Sequence, residues 1–141
     1  MTAASDGIRV AVIVDPTLPA GLLANTVATL SIGLGAGHPR LGDQPIGDAK
    51  GREFWCSANR PVPVLQAAEE VLRGLMLKAS AGPLGAMVVP YPRFARQIHD
   101  FEDYCSRFGA ADLAEEAIDG IALLGPEKWV RSLTGSLKLL R

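Results

Sequence analysis

The chain has 141 residues, and its 14 Lys and Arg side chains nearly balance its 15 Asp and Glu side chains, which gives a formal net charge of -1. Hydrophobic residues make up 48% of the sequence but aromatic residues only 6%, so the core is mostly aliphatic and alanine. These values exclude a disordered chain and argue against a nucleic-acid partner, because binding a phosphate backbone requires a basic surface. They favour one compact domain in which helices pack on a sheet.

The two cysteines, Cys56 and Cys105, are isolated and have neither the spacing of a metal site nor that of a redox pair. The residues before Ile8 lack the basic region of a secretory signal. No apolar run reaches the ~20 residues that a membrane-spanning helix needs. We therefore expect a cytoplasmic protein with reduced thiols, no membrane contact, no bound metal and no cofactor.

The first predicted elements are a buried strand and an uncharged helix. Residues 8–16 form a nearly continuous β-branched run that ends at Asp-Pro, which is typical of a strand buried on both faces. Residues 18–34 have leucine and valine at helical spacing, with Thr17 as a candidate N-cap and glycines as the stop signal. No charged residue lies between Asp15 and Arg40. We expect this helix to be covered, either by the rest of the fold or by a second copy of the chain.

The middle of the chain is predicted to leave the core and then return to it. Residues 38–59 are rich in glycine and turn-forming residues, and we name this segment the excursion; it contains two candidate short strands, near 44–46 and 53–56. Residues 64–80 then predict a second helix. Residues 84–90 predict a second buried strand, which gives a right-handed βαβ-type unit with the first.

The last third of the chain continues the alternation of helices and strands. Residues 93–109 predict a third helix, and residues 113–116 are a candidate edge strand. Residues 117–125 predict the last long strand. Pro126 and Gly135 fit the first turn and the C-cap of a fourth helix.

Two stretches resemble the peptidyl-tRNA hydrolase II family. In the C-terminal stretch a strand ends in Gly-Pro at 125–126, and a short helix, Thr-Gly at 134–135 and Leu-Lys-Leu at 137–139 follow. The family's first helix is matched by Gly21, Ala24, Val27 and Ala28. The resemblance implies a single α/β domain, residues 1–141, with three α/β/α layers around a four-stranded mixed sheet.

Within that superfamily the chain looks closest to a bacterial domain-of-unknown-function family, number two thousand. The matching residues are the opening of the first helix at 18–21, Asn25, the extended segment 61–65 and the ending 133–141. These are turn, cap and core positions. They indicate the fold and not the activity.

The catalytic positions of the active hydrolases differ in this chain. Their second lysine, their glutamine and their histidine correspond here to Leu22, Thr26 and Thr29, and the carboxylate nearest the last strand is Asp119. Residues 100–119 also carry seven acidic side chains against one arginine, whereas the family tends to be basic. The resemblance therefore implies the fold of the hydrolases without their lysine, glutamine and histidine, and we assign no catalytic residue.

Four residues are candidates for ligand binding: Asn25, Thr26, Thr29 and His38. On the uncharged helix, the first three are placed to line the cleft in which the hydrolases bind substrate. The alternative is that they bond to nearby backbone or to a partner copy. His38 follows the helix in a loop, where it is either a surface residue or an acid and base, conceivably with Cys56. Cys105 is expected in the core.

Three functions stay open at this stage. In the first, the protein binds a small ligand in a cleft near these four residues and the excursion. In the second, it hydrolyses peptidyl-tRNA or a related ester, with His38 or Asp119 as the base. In the third, it is a non-catalytic structural or regulatory dimer. The uncharged helix predicts a homodimer in each case.

Overall fold

A computed structural model describes residues 6–141 of the chain, so residues 1–5, for which we predicted no signal and which we included in the domain, lie outside the described residues. The strands are β1 Ile8–Val14, β2 Pro45–Gly47, β3 Glu53–Trp55, β4 Val64–Gln66, β5 Met87–Pro92, β6 Ile118–Pro126 and β7 Lys138–Leu139. The helices are α1 Ala20–Gly37, α2 Glu69–Ser80, α3 Phe101–Gly109 and α4 Glu127–Thr134.

The central sheet is mixed and has five strands, in the order β5-β6-β1-β4-β7, and β2 and β3 form a separate hairpin. β1 runs parallel to β4, and the other neighbours in the sheet are antiparallel. The predicted count of four strands is therefore wrong. β1, β5 and β6 were predicted, whereas β4 was not predicted as a strand and β7 is a two-residue strand in the tail that the sequence pattern alone does not distinguish from coil.

The parallel crossover also differs from the prediction. Residues 64–66, expected as the start of the second helix, form β4 beside β1, because the prolines at 61 and 63 favour extended backbone. The helix begins only at Glu69 and Glu70, whose charge suits a helix N-terminus. α1 and the excursion thus connect β1 to β4, while β5 lies on the far side of β6.

Helices cover both faces of the sheet because successive side chains of each strand point in opposite directions. Val10, Val12 and Val14 pack with Leu30 and Leu34 of α1. The alternate β1 residues Ala11 and Ile13 pack on the other face with residues of α2 and α4, including Leu72, Met76, Val130 and Leu133.

The third predicted helix divides into two pieces. Residues Arg93–Gln97 form a 3-10 helix, Ile98 is extended, and α3 begins after Asp100, whose carboxylate accepts a hydrogen bond from the backbone N–H of Asp103 at 3.0 Å. No residue of α3 is buried, and Cys105 is exposed, contrary to the prediction that it lies in the core. Residues Leu113–Glu115 form a 3-10 turn instead of the candidate edge strand.

α1 is longer than predicted and is mostly exposed. It has 18 residues and a mean hydropathy of 1.3, so by length and composition alone it is the one helix within residues 6–141 that could cross a membrane. Here it lies on the sheet with Thr26, Leu30 and Leu34 buried. Within residues 6–141 nothing covers its outer face, where Ala20, Ala24 and Ala28 are exposed.

α1 approaches β6 closely at Gly120. A methyl group placed there would lie 2.9 Å from Cγ2 of Thr26 and 3.1 Å from the carbonyl oxygen of Ile13. Only glycine fits at this distance. The contact sets the distance between α1 and the sheet. The part of α1 that follows it, residues 31–35, borders the excursion.

Candidate functional site

A cavity of about 520 Å³ lies between the second half of α1 and the chain that follows it. Val10 of β1 and Leu34 of α1 lie on its sheet side, and both are buried. Gly35 lines it from the helix. The opposite wall comes from Leu41 in the excursion and from Val62 just after it. The cavity is therefore built from one continuous crossover together with the strand that precedes it.

Hydrogen bonds between two parts of the excursion hold its wall in place. The backbone N–H of Asn59 donates to the carbonyl oxygen of Leu41 at 2.8 Å, and its side-chain amide donates to that of Arg40 at 2.7 Å. The indole N–H of Trp55 donates to the carbonyl oxygen of Gly42 at 2.7 Å. These bonds close the excursion into a loop although its short hairpin makes few contacts with the core.

Arg60 anchors this loop to the sheet. Its side chain is only 4% exposed, and its guanidinium donates to both carboxylate oxygens of Asp6, at 3.0 and 2.9 Å. It also donates to the carbonyl oxygen of Ile8 at 3.1 Å and to the side-chain oxygen of Asn59 at 2.9 Å. The hydrogen bond from Arg60 is the main reason that the pKa of Asp6 falls from 3.8 to about 2. The charge of Arg60 is therefore already balanced where it lines the cavity.

Few polar groups remain for a ligand in this cavity. Ser31 contributes a hydroxyl from α1, Ser57 contributes a second hydroxyl, and Cys56 contributes a partly buried free thiol from the end of the hairpin. The rest of the lining is mainly apolar. Clefts of this size and composition suit small molecules that are largely apolar and make one or two oriented hydrogen bonds.

The four predicted ligand-binding residues lie outside the lining of this cavity. Thr26 is buried and its hydroxyl donates to the carbonyl oxygen of Leu22 at 2.7 Å, while the Thr29 hydroxyl donates to that of Thr26 at 3.1 Å. Both threonines thus bond within α1. The Asn25 amide is exposed and lies 3.4 Å from the Tyr91 hydroxyl, a long and weak contact.

His38 is half-buried at the end of α1, where its backbone N–H donates to the carbonyl oxygen of Leu34 at 2.8 Å. Its Nε2 atom is buried and has no hydrogen-bond partner within residues 6–141. Cys56 lines the cavity and His38 does not, so the structure does not bring the two side chains together in this site.

Asp119, the other candidate base, lies at the opposite end of the β1 and β6 pair. It is fully buried, and its two carboxylate oxygens accept hydrogen bonds from Nε of Arg93 at 3.2 Å and from Nε of Arg96 at 2.6 Å. Both oxygens are therefore occupied by positive partners. Such a carboxylate is poorly placed to take a proton from water or substrate.

The sequence interpretation missed Ser31, Gly35 and Arg60 as site residues. Ser31 and Gly35 are one turn apart on α1, on the side that faces the returning excursion. The sequence held a signal for the last turns of α1, because a segment that follows directly from the end of a helix must first pass beside them, but it held no signal for which side of those turns faces the segment. Arg60 was identifiable as a lone charge before an extended apolar run.

A protein family and a solved structure each match almost the whole chain. No curated protein matches the sequence. A similar solved structure is that of the protein of unknown function Atu0240 from Agrobacterium tumefaciens strain C58, with a TM-score of 0.85 and 20% identity over 94% of this chain and 97% of that one. At this identity the likeness shows the fold alone. The family model described as protein of unknown function (DUF2000) matches residues 8–141, so the predicted domain-of-unknown-function family is confirmed and the chain belongs to it.

Proposed function

We propose that this protein binds a small, largely apolar molecule in the cavity between α1 and the excursion. The observation that carries the proposal is the cavity itself, about 520 Å³ in volume and mainly apolar in its lining. A concave, mainly apolar cleft with a few polar groups is the usual form of a small-molecule site, and filling it removes apolar surface from water. A ligand that fills the space would stabilise the folded state in proportion to its affinity.

The polar groups in the lining restrict what this ligand can be. Arg60 is paired with Asp6, so a ligand carboxylate would compete with an existing ion pair for one guanidinium. The hydroxyl groups of Ser31 and Ser57 and the thiol of Cys56 can each make single hydrogen bonds. The ligand class that fits is a neutral molecule with an aliphatic or aromatic body and one polar group.

The test uses a substitution that fills the cavity without disturbing the fold. A Cβ atom at Gly35 has no heavy atom within 4 Å, so Gly35→Leu would extend into open space beside the cavity. The matched control is Gly21→Leu on the same helix, where an added Cβ is equally free and the residue does not line this cavity. Thermal unfolding is measured with a panel of small aliphatic and aromatic alcohols and amides.

We expect a panel compound to raise the unfolding temperature of the native chain and of Gly21→Leu, and to lose most of this effect in Gly35→Leu. Equal shifts in all three proteins would place binding elsewhere and overturn the proposal. If both variants are folded and no compound raises the unfolding temperature of any of the three proteins, the proposal is also overturned.

We propose in addition that the scaffold is related to that of peptidyl-tRNA hydrolase II. The support is that β6 ends at Pro126 and α4 ends before Gly135, where the resembling stretch has its Gly-Pro and Thr-Gly. Hydrolysis of peptidyl-tRNA is the weaker candidate function, because the carboxylate of Asp119 is enclosed by two guanidinium groups.

A second copy of the chain is the occupant that we propose for the outer face of α1. This face presents the exposed residues Ala20, Ala24 and Ala28 one turn apart, and no charge lies between Asp15 and Arg40. An uncharged face is matched by another uncharged face, and its small side chains let two helices approach closely. Light scattering should find a dimer that Ala28→Glu converts to a monomer. A monomeric native chain would overturn this proposal.

A further inference from the structure

A second polar cluster lies at the end of β1 that is remote from the cavity. The two arginines that hold Asp119 come from the 3-10 helix after β5, and each uses Nε for this contact. Asp119 is fully buried while the side chains of Arg93 and Arg96 are 48% and 26% exposed. The buried carboxylate thus fixes two guanidinium groups that still reach solvent.

The terminal nitrogens of both arginines are available to a ligand. A guanidinium has five N–H donors and no acceptor, and Nε carries only one of them. Within residues 6–141 no protein group accepts a hydrogen bond from the terminal nitrogens of Arg93 or Arg96, and none of these atoms is both buried and unpaired. Two partly exposed guanidinium groups that are held by one buried carboxylate therefore keep terminal N–H donors without a protein partner in the described residues.

The neighbouring charges indicate which anion fits. Arg93 and Arg96 carry two positive charges against the one negative charge of Asp119. The backbone N–H of Asp15 donates to the carbonyl oxygen of Asp119 at 3.0 Å, so its mostly buried carboxylate is close by. That carboxylate bonds to the backbone N–H and hydroxyl of Thr17. A second negative charge nearby disfavours a dianion, and a planar fork matches a carboxylate.

We propose that Arg93 and Arg96 bind the carboxylate group of a small molecule, with Asp119 as the residue that positions both guanidiniums. This site is separate from the cavity: Val10 and Asp15 are five residues apart on one extended strand, which spans roughly 17 Å. The proposal of a carboxylate site therefore does not depend on the proposal that the cavity binds an apolar ligand.

The proposed site can be tested by observing the two arginine side chains while a carboxylate is added. The probes are acetate, benzoate and inorganic phosphate, and the measurement is the ¹⁵N NMR signal of each guanidinium during titration of the full chain at constant ionic strength. The variants are Arg93→Gln, which removes one fork, and Arg93→Lys, which keeps the charge. The control is Arg52→Gln, which removes an equal charge from an exposed i,i+4 pair.

We expect saturable binding of acetate and benzoate that shifts the signals of both arginines. Loss of one charge-assisted fork should weaken it roughly 10- to 100-fold in Arg93→Gln, with partial recovery in Arg93→Lys and no change in Arg52→Gln. Equal binding by Arg93→Gln and Arg52→Gln would refute the site. Tighter binding of phosphate than of benzoate would refute the assignment of a carboxylate.

Asp119→Asn separates a positioning role from a merely structural one. It raises the net positive charge of the cluster, so a purely electrostatic site would bind carboxylates more tightly. If Asp119 positions the guanidiniums, the signals of Arg93 and Arg96 should broaden or move to solvent-exposed values, and binding by the folded protein should weaken. Tighter binding in Asp119→Asn would overturn the positioning role.

Discussion

Gly120→Ala is the substitution whose effect the structure defines most sharply. The new methyl carbon would lie 2.9 Å from Cγ2 of Thr26, 3.2 Å from Cδ1 of Leu30 and 3.1 Å from the carbonyl oxygen of Ile13. Leu30 can rotate away, but the carbonyl belongs to a central strand and cannot. α1 must therefore move outward along the middle of its contact with the sheet.

The cost can be estimated from two opposing effects. Inserting a methyl group into a packed core costs about 1–3 kcal/mol. Replacing glycine by alanine restricts the unfolded chain and returns about 0.4–1 kcal/mol. We therefore expect Gly120→Ala to lower the free energy of unfolding by about 1–2 kcal/mol, which corresponds to a fall in Tm of roughly 3–8 °C.

The assay is urea unfolding followed by circular dichroism, with calorimetry for Tm. Gly74→Ala on the exposed side of α2 is the control, because a Cβ there meets nothing within 4 Å and should stabilise the chain by about 0.5–1 kcal/mol. Adding Thr26→Ser to Gly120→Ala removes the clashing methyl group and keeps the hydroxyl, so part of the loss should return. If Gly120→Ala is as stable as the native chain, α1 does not lie on β6 as described.

The remaining predictions concern ionic groups and activity. Arg96→Gln removes the 2.6 Å partner of buried Asp119 and should cost about 2–4 kcal/mol in urea unfolding, whereas Arg52→Gln should stay within about 0.5 kcal/mol of the native chain. Because the pKa of Asp6 is lowered from 3.8 to about 2, its contribution to stability is complete above pH 3.8 and is lost as the pH falls towards 2. When the free energy of unfolding is measured against pH, Asp6→Asn should therefore lack this loss. If Asp6→Asn loses stability in acid as the native chain does, the pairing of Asp6 with Arg60 is contradicted. Purified protein should not hydrolyse a model peptidyl-tRNA at the rate of an authentic hydrolase, and comparable turnover would mean that Asp119 or another group acts as a base despite its surroundings.

Elements with strong local signals were predictable from the sequence. β1 was evident because its β-branched run is buried on both faces, and α4 because Pro126 and Gly135 mark its two ends. The hairpin in the excursion follows from a tight turn in which the Asp48 carboxylate accepts hydrogen bonds from the backbone N–H groups of Lys50 and Arg52. Each of these signals is contained within a few neighbouring residues.

Short strands were not predictable, because their existence depends on partners far away in the chain. β4 has three residues, and its pairing with β1 joins positions about fifty residues apart. Its leucine and valine fit the period of the helix that follows, so the pattern extended the helix over it. β7 has two residues and exists only because β4 presents an open edge to it.

The candidate site was located in part. The excursion was expected to border a binding site, and it does form one wall of the cavity. The side of α1 that faces the cavity was not predictable, because the helix carries no charged residue to mark its outer face. The rotation of α1 is set instead by the close contact of Thr26 with Gly120, which no local pattern reveals.

The route of the crossover from β1 to β4 separates the packed core of the molecule from one wall of the cavity. The sheet and its covering helices hold the fold together through β1 and β6, whereas the cavity wall is supplied by the segment from Pro39 to Val62. Sequence change in that segment alters the shape of the cavity while leaving the packed strands intact. Relatives that share this scaffold can therefore differ in the shape of this cavity through one exchangeable stretch of chain, and if the cavity binds a ligand as we propose, grafting that stretch between them would transfer specificity.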